Sequence, residues 1–422
     1  MNLGARFDLA RGKDLTLGVL MERLAAIHGD RPLVTEAESG RVRTFRQAAA
    51  DVDRWAGAIH ALTEPGDRVV LATGNTYDQF LLVLAVARAG RLPAPVNSQM
   101  APAEIEHVIQ DSGASLVLAS AEELDVDTPL GRAEPAAPGD IAALFYTSGT
   151  TGKPKGAELT HRGLFGGMPL TSLIPRRTHR DELVAALPVA HIYGFTLVIG
   201  AACAGMPVYF LQKFNPVKVL DAIETRRTSI FAGVPAMYRM LMEAGAEARD
   251  LSCVRMWISG ADAMPQELSQ QFKKLGASGR LPVVGSVGEA TFAEGYGMVE
   301  TGGGVAMRIS PPLVSGGLGG SMGLPLPGNK FKVVDPDGNE VPVGSVGELL
   351  LSGPSILKGY HGSPEASAAA LTADGWLRTG DMARRGPLGS VNFEGRMKDV
   401  IKRGGYSVYA VEVEQDLEEH PD

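Results

Sequence analysis

The sequence predicts an α/β protein built on an open, mostly parallel sheet, and three observations carry that prediction. Short apolar strand-like runs alternate with segments of helical spacing from Leu17 to Val284. An apolar run, Ile141 to Phe145, feeds directly into a glycine-rich polar loop. Near Pro311 the alternation stops and closely spaced β runs take over.

Taken in order, Leu17–His28 and Phe45–Leu62 repeat their apolar residues at helical spacing. Asp67–Ala72 reads as a strand, Asp78–Ala89 as a helix, and Leu92–Val96 and Ser115–Ser120 as further strands. The pattern resumes from Leu183, with Val217–Thr225 as a helix and Ser229–Phe231 as a strand. Strands separated by helices favour a parallel sheet covered on both faces. From Leu183 to Gln212 no Asp, Glu, Lys or Arg occurs, a length that could cross a bilayer. Pro188, Gly194, Gly205 and Pro207 interrupt it, and it contains His191 and Tyr193, so a buried helix followed by a strand is the expectation. The stretch Pro311-Pro-Leu-Val-Ser-Gly-Gly-Leu-Gly-Gly-Ser321 is a loop. The β runs after it, with Asp335-Pro-Asp-Gly338 as a turn, suit an antiparallel sheet or small barrel. Met397–Gly405, basic and glycine-containing, reads as a linker. The division expected is 1–310 as a large α/β region of two subdomains, 311–395 as a small β unit, and 396–422 as a hinge with the start of another domain.

At 422 residues the chain exceeds one compact domain, and 45% hydrophobic residues supply ample cores. A formal net charge of -8 argues against a general nucleic-acid surface. The two cysteines, Cys203 and Cys253, exclude a disulfide framework and a cysteine zinc site. The first residues lack the apolar core of a secretory signal, so a cytoplasmic protein is expected.

The most informative run is Tyr146-Thr-Ser-Gly-Thr-Thr-Gly-Lys-Pro-Lys-Gly156. Gly149 and Gly152 let backbone N–H groups approach an anion, Thr147, Ser148, Thr150 and Thr151 add hydroxyl donors, and Lys153 and Lys155 add charge. That combination grips a polyphosphate. It is not a Walker loop, because Pro154 follows Lys153 where that pattern requires Ser or Thr. The bland alternative is a flexible polar surface loop.

This run resembles the phosphate-binding signature of the adenylate-forming superfamily, which includes acyl-CoA synthetases, luciferases and peptide-synthetase adenylation domains. Further resemblances follow in order: Gly295–Thr301 to the adenine and metal motif, Gly347–Tyr360 to the Gly-Glu-Leu segment, Thr379-Gly-Asp381 to the ribose-binding turn, and Gly395–Asp399 to the interdomain hinge. They extend from about residue 15 to the end of the chain. The resemblance implies two stacked, mostly parallel sheets with flanking helices, a small antiparallel β-barrel subdomain, and a C-terminal lid. The chain stops at Glu419-His-Pro-Asp422, which matches the end of the lid's first helix, so a truncated lid lacking its catalytic lysine is expected, and with it weak activity.

The implied chemistry has two steps: a carboxylate attacks the α-phosphate of ATP, and a thiol, usually that of CoA, then displaces AMP. By position, Thr147, Ser148, Thr150, Thr151 and Lys155 hold the β- and γ-phosphates. Glu300 matches the magnesium ligand. Tyr296, with Gly297 beside it, stacks on adenine, and Asp381 accepts from the ribose hydroxyls. Arg396 contacts ribose or phosphate, and Lys398 is the hinge. His191, in Leu187-Pro-Val-Ala-His-Ile-Tyr-Gly194, matches a gate beside the acyl pocket; taken alone it reads as a core histidine. Phe231–Pro235 and Ser259-Gly260-Ala261-Asp262 match segments lining the acyl and adenine pockets.

Three positions depart from the family. Val299 replaces a threonine that bonds the α-phosphate, a loss for which Thr301 is the candidate to compensate. Ser407 replaces an asparagine or lysine, and Ala410 a proline, which bears on contacts to CoA. The resulting expectation is an ATP- and magnesium-dependent acid–CoA ligase. The run Ala190-His-Ile-Tyr-Gly-Phe195 lacks the Phe-Asp start used for amino acids, which points to an acid without an amine; a fatty acid is favoured, with an aryl acid as the alternative. Contact with a membrane surface would follow from a lipid substrate. The alternatives are a fatty acyl-AMP ligase that loads a carrier protein, and a nucleotide-binding module that does not turn over.

Overall fold

The computed structural model describes residues 3–97, 100–124, 128–147, 153–173, 181–281, 285–314, 317, 320–399, 401–403 and 406–408. Its main sheet has the strand order Leu324–Pro325, Gly303–Ser310, Thr291–Met298, Met256–Gly260, Ile230–Gly233, Leu183–Ala185, Val208–Phe210, Pro32–Glu36, Val42–Thr44. The six strands from Thr291–Met298 to Pro32–Glu36 pair in parallel, and the pairings beyond them at either edge are antiparallel. Central strands covered on both faces are apolar throughout: Leu183–Ala185 is buried at every residue, and in Ile230–Gly233 only Ile230 is partly exposed.

A second, smaller parallel sheet places Arg68–Leu71 between Leu92–Pro95 and Leu116–Leu118. Beside it packs an antiparallel hairpin, Ile141–Tyr146 with Gly156–Thr160. The helices Leu17–His28 and Phe45–Leu62 have the bounds their spacing predicts. The second opens with a capping box, in which Thr44 Oγ1 accepts from the Gln47 N–H at 3.2 Å and Gln47 Oε1 accepts from the Thr44 N–H at 2.9 Å.

The uncharged run resolves into strand Leu183–Ala185, helix Ile192–Ala204 and strand Val208–Phe210. Among the described residues no helix is long and apolar enough to cross a membrane. This helix is apolar because it lies between layers. Phe195 packs on Phe80 of the buried helix Tyr77–Arg88 and on Phe145 of the hairpin, with ring centroids 5.4 and 5.2 Å apart.

The small unit is a meander of Lys330–Val334, Val346–Ser352, Leu377–Arg385 and Val391–Arg396, paired antiparallel in sequence order. The turn at Asp335–Gly338 forms as expected: Asp335 Oδ1 accepts from the Asp337 and Asn339 N–H groups, and Gly338 takes a φ of +85°. The outer strands of the meander do not pair with each other, so the expected barrel is an open four-stranded sheet. Among the described residues no strand joins its two edges, and closure into a barrel requires that pairing.

The chain ties the two regions together repeatedly. Beyond the Pro311–Ser321 stretch, Leu324–Pro325 still adds to the edge of the main sheet. The buried Lys273 ammonium donates to the carbonyls of Pro311 and Val314 at 2.8 and 2.7 Å. Residues 358–361 return from the small unit and lie along Gly156–Thr160. There Glu158 and Gly359 exchange a backbone bond at 2.9 Å, and the His361 N–H reaches the Gly156 carbonyl at 2.8 Å.

Candidate active site

Parallel strands leave their loops at one edge, and ligands in open α/β sheets gather where the strand order reverses. After Leu183–Ala185 the chain adds Val208–Phe210 on one side, then crosses to Ile230–Gly233 on the other. The switch point is therefore between Leu183–Ala185 and Ile230–Gly233. The residues following the carboxyl ends of adjacent strands are His191, Val234, Ala261 and Glu300, which brings the separate sequence motifs to one edge.

At the switch point His191 caps the helix Ile192–Ala204, its Nδ1 accepting from the Tyr193 N–H at 3.2 Å. The ring is exposed on one side, while the protein packed against it lowers its pKa, which keeps the imidazole neutral. It is an exposed helix cap and not a core histidine. Tyr193 spans the ends of two strands: its hydroxyl approaches the Gly233 carbonyl at 3.3 Å and the Ile258 carbonyl at 3.5 Å. Its ring packs on Gly260, where a Cβ would sit 3.3 Å from the ring and 3.2 Å from the Gly295 carbonyl. Ala261 follows with a left-handed φ of +72°.

On the nucleoside side, Tyr296 stands on the main sheet and Asp381 on the meander, and the Tyr296 hydroxyl donates to Asp381 Oδ2 at 2.6 Å. Gly297 permits the bulge beside Tyr296, since a Cβ there would strike the Gly303 carbonyl. Arg396, the register partner of Asp381, brings Nε to 2.9 Å from Oδ1. The turn is set by the Asp381 N–H donating to Thr379 Oγ1 at 3.0 Å. Asp381 is 1% exposed, and burial raises its pKa against the opposing pull of the Tyr296 bond and Arg396. Burial first, then the Asp381 charge, lifts the Tyr296 phenol well above its ordinary value, so it remains a donor. Oδ1 has a charge partner but no aligned hydrogen-bond donor, and the buried Ser259 hydroxyl also has none. An unsatisfied buried polar atom costs about 1–3 kcal/mol. A ribose diol fits Oδ1 in chemistry and in charge.

On the phosphate side, the Thr147 N–H donates to the Lys155 carbonyl at 3.0 Å and the Lys155 N–H to Thr147 Oγ1 at 3.4 Å, which closes the neck of the loop. Ser148, Gly149, Thr150, Thr151 and Gly152 lie outside the described residues. Lys153 and Lys155 are exposed. Two contacts hold the neck to the helix Pro102–Ser112: Tyr146 Oη donates to Asp111 at 2.9 Å, and His107 Nε2 lies 2.9 Å from the Pro154 carbonyl. Neither was legible in the sequence, where nothing joins residue 107 to residue 154.

Glu300 rides on the tight turn Val299–Thr301. Thr301 is fully buried; its hydroxyl accepts from the Met298 N–H at 2.9 Å and donates its one proton to the Gly303 carbonyl at 2.6 Å, with the Met298 carbonyl also 2.9 Å away. This corrects the expectation that Thr301 compensates for Val299 or contacts nucleotide, since its hydroxyl is committed to shaping the turn. Val299 packs against the core. Tyr360, quoted in the sequence only as the end of a motif, donates to Glu300 Oε1 at 2.7 Å, and Lys155 Nζ lies 5.3 Å from its ring centroid.

Among the described residues no group of three or more His, Cys, Asp or Glu gathers to cage a metal. Magnesium needs none, since it is commonly held by one or two carboxylates together with phosphate oxygens and water. Glu300, half-buried and linked to Lys155 through Tyr360, fits that donor set. Lys398 is exposed on the short turn Met397–Asp399 that follows Arg396. The side chain of Ser407 and all of Ala410 lie outside what is described.

Comparison with known proteins agrees with this geometry. The family model for AMP-binding enzymes matches residues 21–361, and the chain belongs to that family of adenylate-forming enzymes. Feruloyl-CoA synthase of Amycolatopsis sp is 31% identical over 406 residues, covering 90% of this chain and 79% of its own. The fatty acid–[acyl-carrier-protein] ligase ScoC of Streptomyces coeruleorubidus is 30% identical over 416 residues, with coverage of 90% and 78%. Among solved structures, ATP-bound MatB from Rhodopseudomonas palustris superposes with a TM-score of 0.82 at 28% identity, over 96% of this chain and 84% of that one. ATP, magnesium and CoA are the reactants and metal of the family's acid–CoA ligases.

Proposed function

We propose that this chain is an ATP-dependent acid–CoA ligase for a carboxylic acid with an uncharged, apolar body, a fatty acid being the first candidate. The observation that carries the reading is that Tyr296 and Glu300, at the carboxyl end of a parallel strand, are joined to Asp381 and Arg396 on the meander and, through Tyr360, to Lys155 at the neck of the phosphate loop.

In the first step a carboxylate oxygen of the acid bonds to the α-phosphorus of ATP, and the bond to pyrophosphate breaks. Asp381, fixed by Tyr296 and Arg396, orients the nucleoside. Lys153 and Lys155 offset charge on the phosphates that leave. A metal bound at Glu300 supplies further charge neutralisation on the phosphate oxygens. In the second step the CoA sulfur bonds to the acyl carbon, AMP departs, and the thiol proton passes to solvent. The segment that supplies His191 and Tyr193 contains no charged residue from Leu183 to Gln212, which suits an acid whose only charge is its reacting carboxylate.

A second reading is a compact aryl acid, which would meet Tyr193, whose hydroxyl reaches the ends of two strands. The feruloyl-CoA synthase relative supports the same reading.

The test is ATP–pyrophosphate exchange with acids from acetate to palmitate, plus benzoate, ferulate and malonate, followed by thioester formation with CoA or a carrier protein. Stimulation by uncharged acids and none by malonate is expected, with CoA as the better acceptor. Intact ATP binding without exchange for any acid would overturn the ligase reading.

A further inference from the structure

We propose that Tyr360 is a positioning residue that holds the metal-binding carboxylate and the phosphate-binding lysine in fixed relation, an inference that rests on the roles given above to Glu300 and Lys155. Three contacts meet on this one side chain and its backbone. The hydroxyl donates to Glu300 Oε1 at 2.7 Å. The ring lies beneath Lys155 Nζ, 5.3 Å from centroid to nitrogen, within the range of a cation–π contact. The backbone bridges to Ala157, on the strand that leaves the phosphate loop.

The segment carrying Tyr360 is itself clamped on both sides. The Leu357 N–H donates to the Glu300 carbonyl at 2.8 Å, Lys358 and Gly359 bond to Glu158, and the Tyr360 N–H donates to Ser367 Oγ at 2.8 Å. The tyrosine thus has little freedom, and what it touches inherits that order.

The consequence for Glu300 is directional. One carboxylate oxygen is engaged by the tyrosine, and among the described residues no side chain donates to the other, Oε2. A ligand carboxylate oriented by a neighbouring donor binds its metal more tightly than a free one. The ring acts separately, confining an exposed lysine that would otherwise sample many rotamers.

Two variants separate these effects by binding measurements that need no turnover. Tyr360→Phe keeps the ring and removes the hydroxyl, whereas Tyr360→Leu removes both. Mn2+ binding to the ATP-loaded protein, followed by its electron paramagnetic resonance signal, should weaken about tenfold in Tyr360→Phe, while metal-free ATP affinity measured by calorimetry stays unchanged. In Tyr360→Leu both should weaken. In a Glu300→Gln background, Tyr360→Phe should add no further loss of Mn2+ affinity, because it acts through that carboxylate. Unchanged Mn2+ affinity in Tyr360→Phe, alongside a loss in Glu300→Gln, would overturn the positioning role and leave Glu300 as the metal ligand. Unchanged affinity in Glu300→Gln would instead overturn the metal assignment itself. Should Tyr360→Phe lose metal-free ATP affinity equally, the tyrosine is packing alone and the proposal fails.

Discussion

Two tyrosine–carboxylate pairs cross the cleft, and they run in opposite directions. Tyr296 reaches from the main sheet to Asp381 on the meander at 2.6 Å, whereas Tyr360, from the meander's side, reaches back to Glu300 at 2.7 Å. Asp381 is sealed from solvent and has Arg396 as its counter-charge; Glu300 is half-buried and shares its tyrosine with an exposed lysine. The buried pair is built before any ligand arrives, as suits a nucleoside that is the same in every turnover. The open pair leaves room for charge that changes as pyrophosphate departs. Recognition of the constant part and handling of the changing part are thus given to similar groups in different dielectric surroundings.

The sharpest test of this contrast removes the sealed carboxylate. Asp381→Ala removes the acceptor proposed for the two ribose hydroxyls, and the loss of two bonds to a charged group, each worth about 1.5–3 kcal/mol, should weaken ATP binding about a hundredfold or more by calorimetry. Lys155→Met removes one donor on the open side, and pyrophosphate exchange should fall roughly a hundredfold while AMP affinity is unchanged. If AMP affinity fell as steeply as exchange, the division between the two sides would collapse.

Tyr296→Phe should raise the ATP concentration needed for half-maximal exchange about tenfold. It also sharpens the contrast through pH. Burial raises the Asp381 pKa, so this group favours the folded state below its unfolded value, and that contribution is lost as pH rises through the folded value. Nucleotide binding runs the other way, because the ionised carboxylate is the acceptor. ATP affinity should therefore decline as pH is lowered through the raised Asp381 value. The phenylalanine variant, which lacks a bond favouring ionisation, should show that decline at higher pH.

The smallest effect is a gain. Val299→Thr restores a donor on the turn that carries Glu300 and should accelerate exchange by about threefold to tenfold, less than a full hydrogen bond to charge because the residue also packs on the core. No change in rate would mean that position 299 does not face the phosphate.

Much of this was legible in the sequence, and the rest was not for identifiable reasons. The helices Leu17–His28 and Phe45–Leu62 were readable because their apolar spacing is local. The nucleotide motifs were readable because each is a contiguous run. The two cross-cleft pairs join residues 85 and 60 positions apart, and no local pattern encodes how two regions dock. Thr301 was misread because a hydroxyl beside a metal-binding motif looks available until its three backbone partners are known. The barrel expectation failed on closure, which depends on strand tilt and not on strand propensity.

The opposed tyrosines also bear on how the chain can be handled. A cut in the glycine-rich stretch after Pro311 would look harmless, since that loop joins two regions of different architecture. Each fragment would then carry a tyrosine and a carboxylate whose mates are on the other, and the larger would lose the edge strand Leu324–Pro325. Neither piece should be soluble when expressed alone, and co-expression of the two should recover a nicked but associated protein.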